Sequence, residues 1–262
     1  EQPFASRLIS YKGEKVEQFS FENEAQARDI EKTLLAAADG KLTTVTVNKR
    51  QRRRNPAAPF TTSTLQQESS RKLGFNTQWT MRVAQKLYEG IELPGEGNVG
   101  LITYMRTDSV TLAGVAVDEI RDVIADRYGK ENVPDEPREF KNKSKNAQEA
   151  HEAIRPTSVT RTPESLKGAL DDDQYKLYSL IWKRTMACQM VPAVFDTVAI
   201  DFAAGPAEDG HLFRANGSIL VEPGFMAVYK EGQDDNKDDE GDRLLPEIAE
   251  GDVISLDELR PE

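Results

Sequence analysis

Gly100-Leu-Ile-Thr-Tyr-Met-Arg-Thr-Asp-Ser109 decides how this chain is read. Its apolar entry, Leu101 and Ile102, gives way at once to a phenol, a guanidinium, a carboxylate and hydroxyls. Tyr104, Arg106 and Asp108 stand at alternate positions. A plain core strand would surround its tyrosine with alternating apolar residues instead. A Tyr-x-Arg triplet taken alone also fits a half-buried strand tyrosine beside a surface arginine. The neighbouring sequence has to separate the two readings.

Two further runs flank it: Ala58-Pro-Phe-Thr-Thr-Ser-Thr-Leu-Gln-Gln67 and Ala147-Gln-Glu-Ala-His-Glu-Ala-Ile-Arg-Pro156. In this order and at this spacing the three runs resemble those of the type IA DNA topoisomerases, the bacterial topoisomerase I group. The resemblance extends at lower density along the whole chain. It implies that Tyr104 is the nucleophile that attacks a DNA phosphodiester. A transient 5′-phosphotyrosyl bond would then let single-stranded DNA be cut, a strand passed and the cut resealed. Negatively supercoiled DNA would be relaxed in that way, without ATP.

The residue types suit that chemistry. A phenol with an ordinary pKa of about 10 must lose its proton as it attacks, and its aryl oxygen leaves readily when the reaction reverses. Arg106 stays charged and can donate paired hydrogen bonds to phosphate oxygens, which would position the scissile phosphate and offset transition-state charge. His151, inside the third run, offers a titratable imidazole for a hydrogen-bonding or DNA-contact role near the phosphate or the Tyr104–Asp108 network. Asp108 either orients Arg106 or caps the following helix. Arg155 and Glu149 either serve the site or form a helix-surface ion pair. Thr107, Arg71, Arg82 and Lys86 complete the expected DNA-binding set with Asp108 and Arg155. A tyrosine recombinase also uses Arg, His and Tyr, but there the tyrosine follows a His-x-x-Arg. Here Tyr104 precedes His151, and the spacing to Arg155 is His-x-x-x-Arg. The alternative from another class is a non-catalytic winged-helix DNA-binding or interaction module.

The net charge of −11 looks wrong for a DNA-binding chain, but it is unevenly spread. Residues 201–262 hold 17 acids against 5 Lys/Arg, a net of −12. Residues 46–90 carry nine Lys/Arg against Glu68 and Glu89, a net of +7 beside the tyrosine run. A local basic face is what phosphate contacts need. Arg52-Arg53-Arg54 is either part of that face or a solvated linker. The single Cys188 cannot form an internal disulfide and fits a reducing cytoplasm. No run of about 18 apolar residues suggests a membrane span, and Glu1-Gln-Pro-Phe4 lacks a signal-peptide start. One Cys and two His, His151 and His211, make no zinc site without carboxylates. The resemblance assigns Mg2+ to an N-terminal acidic domain, with a glutamate and an Asp-x-Asp pair, that has no counterpart here. Asp171-x-Asp173 is explained by a helix start. The expectation is a central portion of the enzyme, with no cofactor of its own. It would work with the remaining domains and would not relax DNA alone.

In chain order, Ala5–Tyr11 and Val16–Phe21 read as strands around Lys12-Gly13. Asn23 caps a helix that ends at Gly40, and Leu42–Lys49 is a strand. Asn55-Pro-Ala-Ala-Pro59 is a stiff connector and a domain boundary. The hydroxyls Thr61–Thr64 open a helix that Gly74 stops, and Gln78–Glu89 forms a second with Met81, Ala84, Leu87 and Tyr88 on one face. Such a pair is either a helix-turn-helix, as in a winged-helix unit, or an ordinary helical hairpin. Thr111 opens a helix to Tyr128, Asn146 with Glu149 a short one carrying His151, Thr162-Pro163 another, and Asp171 the longest. Phe195–Phe202, His211–Leu220, Met226–Tyr229 and Asp252–Leu256 are strand candidates, and Glu231–Asp242 is a polar loop. The expected fold is α+β. A discontinuous, mostly-β arch domain of residues 1–60 and 191–262 is interrupted by an all-helical, winged-helix-like domain of residues 61–190 carrying Tyr104. The proline connector and Met190–Pro192 are hinge candidates.

Overall fold

The computed structural model describes residues 3–17, 20–141, 152–232 and 245–260. In chain order the elements are β1 (Arg7–Tyr11), β2 (Glu14–Lys15), α1 (Glu24–Ala38), β3 (Lys41–Arg54), α2 (Thr62–Leu73), α3 (Thr77–Glu89), β4 (Ile91–Leu93) and β5 (Gly97–Val99). They continue as α4 (Gly114–Tyr128), α5 (Pro163–Leu166), α6 (Asp172–Cys188), β6 (Ala193–Ala203), β7 (Leu212–Glu222) and β8 (Val253–Ser255). The fold is α+β, with six α-helices and a mostly antiparallel sheet among the described residues. Contacts divide the chain into two units, taken through their described residues. One is Glu1–Arg52, Phe195–Val221 and Asp239–Glu262; the other is Arg53–Val194 and Glu222–Asp238. No described helix is long and apolar enough to cross a membrane.

The first unit is a six-stranded sheet in the order β2-β1-β7-β6-β3-β8 with α1 packed on it. Helix α1 starts where the Asn23 side chain accepts the Gln26 N–H. Its Ile30, Leu34 and Ala38 meet Leu42, Ile200, Phe202 and Phe213 from the strands. The 3.6-residue and 2-residue periods of helix and strand thus converge on one core. Asp201 on β6 accepts from Arg214 on β7 at 2.6 and 2.9 Å and from Thr46 at 3.2 Å. The Arg214 hydrogen bonds hold the Asp201 carboxyl below the usual carboxylate range against a partial burial that opposes them. Strand β3 runs through Arg52-Arg53-Arg54, so that run is not a linker. Thr197 donates to the Arg50 carbonyl at 2.9 Å and Gln51 to Asp196 at 3.4 Å, which ties this end of β3 to β6.

The second unit packs α2, α3 and α6 against one another, with α4 and α5 on α6. Its helix starts are chemically explicit. Thr61 and Thr64 form a reciprocal capping box, as do Asp171 and Gln174, and Asn76 accepts from Trp79 N–H. The unit is not all-helical: β4 and β5 form an antiparallel hairpin across Pro94-Gly95. Helix α4 begins at Gly114, not Thr111, because the Thr111 carbonyl is taken by the Ala153 N–H. The Glu152 carboxylate instead accepts the Ala113 N–H at 2.6 Å, a negative charge at a helix N-terminus. The described end of the expected short helix, residues 152–155, is extended, with Ile154 bridged to Phe60. An extended approach is what the following Pro156 favours.

Met226–Tyr229, expected as a strand, lies over the 3-10 turn Gly224–Ala227 and the residues just after it. Gly224 has φ +45, and a side chain there would lie 2.3 Å from the Pro192 carbonyl oxygen. Only glycine accepts both that dihedral and that approach. The turn lies against α6, so residues 222–232 belong with the helical unit although sequence placed them in the second β part.

Candidate active site

From Tyr104 to Ser109 exposed and buried residues alternate strictly, after the buried pair Leu101 and Ile102. Tyr104, Arg106 and Asp108 are exposed, while Met105, Thr107 and Ser109 are buried. The segment is not a strand of either sheet, yet the period-2 pattern sets the phenol, guanidinium and carboxylate along one side. The buried side is anchored by hydrogen bonds. Thr62 Oγ1 lies 2.8 Å from the Met105 carbonyl and accepts the Thr107 N–H at 2.9 Å, and the Thr62 N–H donates to the Thr107 carbonyl at 2.9 Å. Thr107 Oγ1 accepts from Ser109 N–H, and Ser109 Oγ from Thr111 N–H. The first turn of α2 therefore grips the tyrosine segment from below.

A second grip comes from residues 153–157. Thr103 N–H donates to the Arg155 carbonyl, Thr103 Oγ1 to the Ala153 carbonyl, and Thr157 N–H to the Leu101 carbonyl. The first and third motif runs are thus ligands of the middle one. That explains why three distant stretches belong together. Tyr104 itself is 43% exposed, with its ring edge-to-face on Tyr88.

The other expected site residues fall into different settings. His151 lies outside the described residues. Arg155 is nearly buried; it pairs with Glu152 at 2.8 Å and donates to the Pro156 carbonyl. Arg82 and Lys86 are exposed on α3, with the Arg82 guanidinium 5.4 Å from the Trp79 ring. Arg71 faces the buried Glu68 at 3.6 Å. The other histidine, His211, lies in the sheet unit and accepts the Lys12 N–H at 3.3 Å.

Sequence reasoning missed a buried network around Glu68. Tyr229 Oη donates to the Glu68 carboxylate at 2.5 Å, and Gly232 N–H donates to it at 3.0 Å. Arg184 bonds the Ala58 carbonyl at 2.6 Å and Glu231 at 2.9 Å, and its guanidinium lies 4.9 Å from the Phe60 ring and 5.3 Å from that of Tyr229. Burial first, and the Glu68 hydrogen bond second, push the Tyr229 phenol far above its ordinary range. Lys72 donates to the Lys230 carbonyl and stands over the Tyr229 ring; burial lowers its pKa. Glu68 is occupied by these partners. Among the described residues no three His, Cys, Asp or Glu side chains gather as a metal site. The described residues thus offer Mg2+ no cluster of carboxylate ligands.

The site is a segment clamped from two sides so that an exposed Tyr-x-Arg-x-Asp row faces solvent. The family model described as DNA topoisomerase matches residues 4–262. DNA topoisomerase 1 of Xylella fastidiosa (strain Temecula1) is 50% identical over 263 residues, which cover 100% of this chain and 32% of that protein. DNA topoisomerase 1 of Rickettsia prowazekii (strain Madrid E) is 46% identical over 258 residues, 98% of this chain and 32% of that protein. The structure of full-length topoisomerase I from Thermotoga maritima, in a monoclinic crystal form, superposes with a TM-score of 0.69 at 29% identity. That match covers 96% of this chain and 39% of that one. The chain belongs to the type IA DNA topoisomerase family. It spans about a third of the length of the curated relatives it matches.

Proposed function

We propose that this chain is the central portion of a type IA DNA topoisomerase and carries its nucleophile, Tyr104. In the intact enzyme the Tyr104 oxygen attacks a phosphodiester of single-stranded DNA. The O–P bond to tyrosine forms as the phenol gives up its proton and the bond to the departing 3′ oxygen breaks. That oxygen takes up a proton, leaving a 5′-phosphotyrosyl link that the 3′ hydroxyl later reverses. Negatively supercoiled DNA is relaxed by passing a strand through the cut. The observation that carries this reading is the alternation that leaves Tyr104, Arg106 and Asp108 together at the surface over a buried, hydrogen-bonded underside. Arg106 positions the phosphate and offsets its charge, and Asp108 orients Arg106. His151 lies in the same motif run and is assigned a DNA contact. Any Mg2+ requirement belongs to the intact enzyme.

The helices α2 and α3 with the β4–β5 hairpin have the order of a winged helix, which supports assigning the exposed α3 face, with Arg82 and Lys86, to the DNA backbone. Arg155 and Arg71 are given structural roles, since their guanidiniums already pair with Glu152 and Glu68. The decisive experiment mixes full-length protein with a labelled single-stranded oligonucleotide and resolves covalent adducts on a denaturing gel. Wild type forms an adduct and Tyr104→Phe forms none. An adduct in Tyr104→Phe would falsify the assignment. A wild-type protein that binds duplex but never forms an adduct would favour the regulator-like winged-helix module.

A further inference from the structure

Tyr88, in the last turn of α3, puts its ring 5.3 Å from that of Tyr104, with the planes inclined at 63°. Neither ring is in the core; Tyr88 is 40% exposed. The buried stripe of α3 is Thr80, Val83, Ala84 and Leu87, so core packing does not explain where Tyr88 stands. The backbone fixes the pair. Leu101 N–H donates to the Leu87 carbonyl at 2.7 Å. Gly100 passes so close that a Cβ on it would lie 2.8 Å from the Tyr88 carbonyl oxygen. The segment that carries Tyr104 is therefore pressed onto the turn that carries Tyr88.

We propose that Tyr88 is a positioning residue for the Tyr104 phenol. A surface tyrosine with no such neighbour samples several χ1 wells. The Tyr88 ring favours the one that makes the edge-to-face contact and so keeps the attacking oxygen aimed. This rests on the reading of Tyr104 as the nucleophile. The function needed from Tyr88 is its ring, not its hydroxyl.

The test uses the full-length protein and a labelled single-stranded oligonucleotide. Single-turnover adduct formation is measured at saturating DNA, and DNA affinity is measured separately in a Tyr104→Phe background. Tyr88→Ala should slow adduct formation about three- to tenfold, the size expected when one aromatic pair is lost, while affinity stays within about twofold. Tyr88→Phe should restore the rate. An unchanged saturating rate in Tyr88→Ala overturns the proposal. So does weaker affinity at an unchanged rate, which would make Tyr88 a DNA-holding residue. Tyr88→Leu repeats the test in a bulkier side chain, and unfolding of both variants would assign Tyr88 to stability and also overturn it. An adduct in Tyr104→Phe alone would remove the nucleophile assignment instead, independently of residue 88.

Discussion

Tyr229→Phe isolates the buried network. The substitution keeps the ring against Phe60 and Lys72 and deletes one hydroxyl. Glu68 is 3% exposed and would lose its 2.5 Å donor while keeping Gly232 N–H and the nearby Arg71. A hydrogen bond to a buried charged group contributes about 1.5–3 kcal/mol, so a loss of about 2 kcal/mol is expected. That corresponds to a melting shift of about 4–8 °C in a unit of this size. Both tryptophans of the chain, Trp79 and Trp182, lie in the helical unit, so urea unfolding followed by tryptophan fluorescence reports on that unit. The pH dependence follows from the raised phenol. Folded Tyr229 keeps its proton where the unfolded tyrosine, near pH 10, gives it up. A raised folded pKa stabilises below the unfolded value and loses that contribution as pH rises above about 10. Wild type should therefore lose stability above pH 10 faster than Tyr229→Phe, and the gap between them should narrow. Tyr178, also raised by burial, is present in both and cancels. A shift under about 0.5 kcal/mol at neutral pH, or parallel alkaline curves, would refute the reasoning.

Two further outcomes are expected. Asp201→Asn should cost the sheet unit about 1 kcal/mol at neutral pH, a figure kept low because Arg214 is partly exposed. Because the Asp201 pKa is lowered in the folded state, that contribution is present above the unfolded value of about 4 and is lost as pH falls, so acid unfolding curves of the two proteins should converge; curves that stay separated would contradict the pairing. Replacing Arg82 and Lys86 together with alanine should flatten the log–log salt dependence of single-strand binding by about 1.4, whereas Arg71→Ala should leave it unchanged because Arg71 serves Glu68.

Local chemistry was legible in the sequence. Asn23, Thr61 and Asp171 cap helices through side-chain bonds to residues three positions on, and such bonds are written in adjacent letters. The alternation of Val198, Ile200 and Phe202 likewise marked β6. What failed was either short or distant. Strands of three residues, β4 and β5, carry too little period to be seen. Tyr88 is the neighbour of Leu87, one 100° step off the core stripe, and sequence placed it on the wrong side. The same small rotation brings it to Tyr104. In the candidate site the Tyr104 row was visible as a motif, but Arg155 was ambiguous until Glu152 and two carbonyls were seen to occupy it. Tyr229 and Glu68 are 161 positions apart, and no local pattern links them.

Among the described residues β8 pairs with β3 at Lys41, Leu42 and Thr43. The residues just before β8 add backbone bonds at Thr44, and the Glu250 carboxylate accepts the Val47 N–H, while β3 continues to Arg54. A long strand margin of this kind invites another chain to add itself. Lys49, Arg50, Arg52, Arg53 and Arg54 crowd positive charge onto that stretch, so a second copy lying alongside would meet its own sign. Charge repulsion along the arginine run therefore disfavours edge-to-edge pairing of two copies there.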